Sequence, residues 1–291
     1  VTDWQGPVSE GVIDRRYNML GLRTIRDMVK RRPLLYSWGH GEDEARMVQM
    51  LRTMGWPLLG TPFCLRILKP HRFLRRNAYL RRSARDRAAL DLLAWSGAGW
   101  LGLKALDVAR GWRAHRPRGV EAEVVERFGP WADAVWEAAH PGYAAVGLRD
   151  AATLNALMPE GGWPDVIRLR VRRDGADVGW AAVLDHALRG NPRFGDLRLG
   201  TVADVFARPG DADDVVAVAT RFLADRGVDL VVSNQSHPAW IDGFARSGFL
   251  LLRDRRLLAL SPALGEALAP LEETRRGLHL TNMDGHGPRS L

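Results

Sequence analysis

The chain has 291 residues, 46% of them apolar, and a formal net charge of +8. That apolar share can bury a core, which excludes a wholly disordered chain, and the length suits two domains or one large one. The single cysteine, Cys64, excludes an intramolecular disulfide framework and every multi-cysteine zinc module, and it predicts a reducing, cytoplasmic setting.

Val1 to Arg16 carries acids, glycines and a proline where a leader peptide would have an apolar core. Asn18 to Lys30 places Leu22, Ile25, Met28 and Val29 on one helical face, and Pro33 stops that helix. Leu34 to Trp38 reads as a strand ended by Gly39-His40-Gly41. Asp43 to Met54 reads as a helix with Met47, Val48, Leu51 and Met54 inward, closed by Gly55-Trp56. Phe63 to Leu68 is a further strand.

Residues 69–118 read as a connector. Arg72, Arg75, Arg76, Arg81, Arg82, Arg85 and Arg87 interleave with Phe73, Leu74, Tyr79 and Leu80, and an apolar helix is predicted from Ala88 to Val108. The longest apolar run, Leu92 to Leu103, is 12 residues; spanning a bilayer takes about 20. The chain therefore reads as soluble, or as one that lies on a membrane. Residues 1–118 hold 23 Lys/Arg against 10 Asp/Glu, and the rest hold 19 against 24, so the two parts carry +13 and −5. The basic part suits an anionic partner at Arg72–Arg87, whether phosphate, RNA or a membrane surface; a solvated face pairing with the acidic part is the plain alternative.

After a hinge at Arg113 to Gly119, Val120 to Phe128 alternates as a strand and Pro130 to Ala139 reads as a helix with proline in its first turn. Val166–Arg172 and Val178–Leu184 flank the hairpin turn Arg173-Asp174-Gly175. Then come a strand (Thr201–Ala207), a helix (Asp213–Asp225), a strand (Val228–Val232) and a short helix (Pro238–Arg246). A second hairpin, Phe249–Leu252 with Arg256–Leu260, closes the segment.

This order resembles the GCN5-related N-acetyltransferase family. The best local match is "VDLVVSNQSHPAWIDGFARSGFLLL" (228–252), similar to that family's fifth strand, fourth helix ending in Gly-Phe, and sixth strand. Residues 34–68 repeat the scheme and end their helix in Gly-Trp. The resemblance implies an α/β (α+β) fold with a mixed, mostly antiparallel central sheet flanked by helices, in tandem. A partial first unit would occupy 1–70, a basic helical connector 71–118, a complete unit 119–262, and a C-terminal helix and tail 263–291. A half-unit would expose a sheet edge unless the second unit or another copy of the chain covers it, or unless the natural start lies upstream.

The resemblance further implies acyl-CoA-dependent transfer, with acetyl-CoA as cosubstrate, to a primary amine of a small molecule, sugar or amino acid. A catalytically degenerate binding or scaffold relative is one alternative, favoured by Phe244 where the family carries a tyrosine acid. An aminoacyl-tRNA-dependent (Fem-like) transferase using Arg72–Arg87 is another. The family's diphosphate loop falls on Gly210, where Asp211, Asp213 and Asp214 would repel an anion; in the first segment it falls on Arg16, Asn18, Gly21, Leu22 and Arg23, which favour one. Asp204, as a general base, and His237 are the candidate catalytic residues, with a solvent-facing strand position the plain alternative for Asp204. Asn234 and Ser236, at a strand's C-terminal end, are candidate substrate contacts, with Ser236 as a helix cap the plain alternative. Asp284 and His286 stand in a tail, "LHLTNMDGHGPRSL", that resembles an acidic Gly-rich tail of tandem bacterial relatives, as "RDAATLNALMP" from Arg149 resembles an Arg-Asp stretch in them. No histidine spacing suggests a metal site.

Overall fold

The structure is a computed structural model that describes residues 1–4, 13–40, 46–96, 101, 102, 105, 117–162, 165–285 and 287. The first segment supplies β1 (Thr2–Asp3), α1 (Leu20–Arg31), β2 (Leu35–His40), α2 (Arg46–Thr53) and β3 (Leu58–Ile67). The connector holds α3 (Pro70–Arg76) and α4 (Ala84–Trp95). There follow β4 (Val120–Val125), α5 (Pro130–Ala139), β5 (Ala145–Val146), α6 (Ala151–Leu157), β6 (Ile167–Arg173), β7 (Ala176–Ala187), β8 (Arg198–Ala207) and α7 (Ala212–Asp225). The chain continues through β9 (Leu230–Asn234), α8 (Pro238–Arg246), β10 (Leu250–Leu260), α9 (Pro262–Ala267), α10 (Leu271–Gly277) and β11 (Leu278–His279).

Nine strands form one sheet in the order β1-β2-β10-β3-β9-β8-β7-β6-β4. Only β1/β2 and β8/β9 are parallel; the other neighbours are antiparallel, which makes the sheet mixed and mostly antiparallel. The turn between β6 and β7 is made by Asp174 (φ 50°) and Gly175 (φ 82°), the left-handed pair that matches the twist of a two-residue hairpin.

The closing hairpin expected at 249–260 is instead one strand. β10 lies between β2 and β3 and pairs with both, its register with β3 shifting between Leu252 and Arg256. A bulge absorbs the charged run that reads as a turn, because both edges of the strand are already taken. β3 in turn lies between β10 and β9, so both of its edges are paired within the chain, and the two-residue β1 forms the sheet's edge on this side. The helix expected from Ala88 begins earlier, at Ala84, where Ser83 and Asp86 form a reciprocal cap. Most of the residues expected to continue it to Val108 lie outside the described residues. Strand β2 runs on through Gly39 and His40, which the sequence reads as its end.

Helices cover both faces. Val231 and Val202 face α7 and α8 in the main core with Trp180, Phe206 and Trp240, whereas Leu230, Val232 and Leu199 face the other way, against Phe73 of α3. At the far end Ile25 of α1 and Leu51 of α2 pack on Leu35 and Ala259. The alternate residues Leu258 and Leu260 face Trp38, α9 and the tail residues Leu278 and Leu280. Cys64 is fully buried among core side chains, and that burial pushes its thiol up to about 12, so it is an inert packing residue.

Candidate functional site

The site arises from a fork in the sheet. β8 and β9 run parallel from Leu199/Leu230 to Val202/Ser233. Beyond that point β9 ends at Asn234, while β8 continues to Ala207 without a strand partner on this side. The register of β8 on β7 shifts here too: Val183 opposes Val202 and Ala182 opposes Asp204, so Ala203 is an extra residue that bends β8 at the fork. The fork opens at the C-terminal ends of both strands, where sheets of this kind place ligands.

The C-terminal tail enters the fork. Gln235 and Thr281 form an antiparallel bridge, and the Ser236 N–H donates to Leu280 O at 3.1 Å. The Ser236 hydroxyl donates to Leu278 O and accepts from the Leu280 N–H, each at 2.7 Å. Buried His279 donates from Nε2 to Val205 O on β8 at 2.8 Å. Its ring stacks on Tyr143 and Trp240, with centroids 4.9 and 5.5 Å away, and burial holds its pKa well below the ordinary value, so it is neutral. Tyr143 donates to Ala207 O at 2.6 Å and accepts from Trp240 Nε1 at 3.0 Å. Its hydroxyl joins α8 to β8, and Tyr143→Phe would leave a buried N–H and a buried C=O without it. That substitution is expected to cost about 1–3 kcal/mol in a denaturation experiment, with little change in the far-UV spectrum.

At the fork a single guanidinium faces two carboxylates. Arg149, on the loop before α6, is 2% exposed. Its Nε and Nη2 approach Asp204 Oδ1 at 3.4 and 3.2 Å, and Nη2 also donates to Asp284 Oδ2 at 2.5 Å. Nη1 donates to Gly147 O at 3.0 Å. A Cβ on Gly147 would stand 2.6 Å from Asp284 Oδ1, so the absence of a side chain makes the room for this group. Thr281 closes the cluster: its hydroxyl donates to Asp204 Oδ1 at 2.8 Å and its N–H to Asp284 Oδ2 at the same distance. Tyr36 of β2 donates to Asp284 O at 2.6 Å, which ties the tail to the first segment.

One guanidinium against two carboxylates leaves the cluster with a net charge of −1. Full burial raises the Asp204 pKa to about 6; Arg149 opposes the rise and Asp284 adds to it. Three buried acceptors here or on adjoining residues, Asn234 Oδ1, Gln235 Oε1 and His279 Nδ1, have no partner among the described residues. The negative charge of the cluster suits a cationic ligand that donates N–H bonds.

Of the residues singled out from the sequence, the structure brings Asp204 and Asp284 into one ion cluster and sets Ser236 on the tail. His286 lies outside the described residues. Asn234 pairs with Phe63 on β3, its amide donating to Pro62 O at 3.4 Å. His237 is the cap of α8: its Nδ1 accepts from the Ala239 N–H at 3.2 Å, burial lowers its pKa, and no bond joins it to the Arg149 cluster. The capping role weighed for Ser236 therefore belongs to His237.

Arg16, Asn18, Gly21, Leu22 and Arg23 stand at the start of α1, over the β2 end of the sheet, with β10 and β3 between them and the fork. Arg16 is exposed and pairs with Asp14 at 2.6 Å. The structure does not bring them to Asp204. The three carboxylates after Gly210, by contrast, are neutralised in part: Asp211 and Asp214 both bind Arg173 of β6, and Asp213 binds Arg246 of α8 at 2.7 Å. The anion repulsion expected of that loop is correspondingly reduced.

Arg149, Tyr143, Thr281 and His279 were not marked as site residues by the sequence. For Arg149 the signal is the Arg-Asp pair itself, in which Asp150 caps α6 through the Thr153 N–H at 2.7 Å and leaves the arginine facing inward. No family model and no curated protein matches this chain. Solved structures do. One is a GCN5-related N-acetyltransferase from Kribbella flavida, 16% identical, covering 86% of this chain and 77% of that one at a TM-score of 0.44. A second is the C-terminal domain (DUF2156) of a putative lysylphosphatidylglycerol synthetase from Agrobacterium fabrum, 13% identical over 90% and 78%, TM-score 0.39. A third is Saccharomyces cerevisiae N-myristoyltransferase with bound myristoyl-CoA, 10% identical over 84% and 56%, TM-score 0.45. The chain is similar in fold to GCN5-related N-acetyltransferases.

Proposed function

We propose that the chain is an acyl-CoA-dependent N-acyltransferase acting at the β8/β9 fork. The observation that carries this reading is the fork itself: two parallel strands that part beside a bulge, with a buried carboxylate of raised pKa at the parting. In this reading Asp204 takes a proton from the ammonium of the acceptor. The freed amine forms a C–N bond with the thioester carbon. As the adduct collapses its nitrogen gives up a second proton to solvent and the C–S bond breaks. The leaving thiolate takes up a proton from solvent, and Asp204 returns its own proton to solvent. Backbone N–H groups of bent β8 would hold the developing oxyanion. The net negative cluster supports a cationic amine, rather than a carboxylate, as the acceptor.

A second reading, a relative that keeps the fold without the chemistry, is favoured by a specific feature. The β8 carbonyls of Val205 and Ala207 are already bonded by His279 and Tyr143, and Phe244 offers no acid. Calorimetric titration with acetyl-CoA and with a longer acyl-CoA separates the two. Saturable heat, with CoA release in the presence of an amine panel, is the expected result. No heat and no thermal shift with either thioester would overturn the acyltransferase reading in favour of the second.

A further inference from the structure

The connector presents a surface that the fold does not use. Between Lys69 and Trp95 the sequence has eight Lys/Arg against two Asp. Both acids are engaged, Asp86 in the cap of α4 and Asp91 with Arg81 at 2.7 Å. Arg75, Arg76, Arg85 and Arg87 form no ion pair among the described residues. Arg82 lies over the Tyr79 ring, 4.0 Å from its centroid.

Helix α4 is exposed almost all round: among its residues only Ala94 is buried. Leu92 is 68% exposed, Leu93 42% and Trp95 92%. A helix of this length in water draws most of its stability from a packed face, and α4 packs little here. The apolar residues are not isolated, because His71, Arg75, Asp91, Leu92, Ala94 and Trp95 line one shallow cleft between α3 and α4, in which Asp91 is held by Arg81 and lies near Arg75. The base of this surface is firm. Phe73 and Leu74 of α3 are buried, Arg72 reaches buried Asp229 at 3.3 Å, and the Tyr79 N–H donates to Arg193 O at 3.1 Å.

We propose that the α3–α4 face docks on an anionic lipid bilayer surface. Trp95, Leu92 and Leu93 enter the interface, and Arg75, which lines the cleft with Leu92 and Trp95, and Arg85, two turns before Leu92, pair with lipid phosphates. Among the described residues no helix is long and apolar enough to cross a membrane, so the contact is one of surface docking through this face. The apolar anchors decide against RNA as the occupant: a polyanion in water pairs with the arginines and leaves three large apolar side chains on one helix exposed, whereas a bilayer takes both.

The test is flotation of the full chain with vesicles of phosphatidylcholine, with and without phosphatidylglycerol. Binding is expected only with the anionic lipid, and it should weaken as salt is raised. Arg75→Glu with Arg85→Glu, and separately Leu92→Ser with Trp95→Ser, should each lower partitioning by about tenfold or more, with melting temperatures unchanged because all four side chains are exposed. Absent or lipid-independent flotation would overturn the proposal. So would salt-sensitive tRNA binding that needs the arginines but is indifferent to the Leu92/Trp95 pair, which would make the face a nucleic-acid surface.

Discussion

Arg149→Met is expected to be the most destabilising single substitution at the fork, by about 3–5 kcal/mol, the usual cost of stranding a buried charge by removing its partner. Arg149 and Asp204 are each 2% exposed, and the guanidinium is the cation that both Asp204 and Asp284 contact. With a methionine in its place, two carboxylates face each other across a buried space with only Thr281 and backbone N–H groups to hold them. Urea titration should read this as a fall in midpoint at unchanged slope, and heating as a loss of roughly 10 °C. The deficit should shrink as the pH is lowered and Asp204 takes up a proton. Adding Asp204→Asn and Asp284→Asn to the same chain should recover most of it, since amides keep acceptors without charge. A loss below about 1 kcal/mol at neutral pH would show that Arg149 does not hold the cluster together.

The second large effect concerns chemistry. Asp204→Asn is expected to lower acyl transfer by about 10²–10⁴-fold, the range for removing a positioned base, while the chain stays folded. The amide oxygen can still accept from Thr281 and from the Val205 N–H, now at 2.8 and 3.0 Å, and the cluster moves from −1 to neutral. The same substitution has a signature independent of turnover. The folded pKa of Asp204 lies above its unfolded value, so between about pH 4 and 6 the folded chain binds more protons than the unfolded one. Stability from this group is full below about pH 4 and is lost as pH rises through 6, by an amount on the order of 2–3 kcal/mol. In Asp204→Asn that decline should vanish, and denaturation midpoints at acid and neutral pH should converge. A variant that keeps the full rate removes Asp204 from the reaction. One that keeps the decline shows that the carboxylate is not the group that titrates.

Most helices and strands of residues 119–246 were legible because their apolar residues recur at the right periods; the two-residue β5 and α6 (Ala151–Leu157), on either side of Arg149, were not. Val215, Val218 and Ala219 mark the inward face of α7, and Asp174-Gly175 marks a turn that few other residue pairs make. The closing strand was not legible. Arg253-Asp254-Arg255-Arg256 has the polarity of a turn, and nothing local says that β2 and β3 will pair with both edges of β10. At the site, Asp204 and Asp284 stood out singly as acids in odd places. That they share Arg149 was hidden, because the three lie 55 and 80 residues apart in the chain, and an ion pair leaves no periodic trace. His237 is the converse case: a titratable ring after a strand suggests chemistry, and the structure shows its Nδ1 capping α8.

The sequence by itself determined most of the longer helices and strands, the basic and acidic division of the chain, and the identity of two of the acids at the fork, since those follow from side-chain period, charge and local chemistry. Only the tertiary structure decided where β8 and β9 part, that the tail from Leu278 to Asp284 reaches β8 and the residues just past β9 at the parting, and that Asp204 is buried there against Arg149. Desolvation and shared counter-charge depend on which distant segments meet, and no window of sequence contains that information.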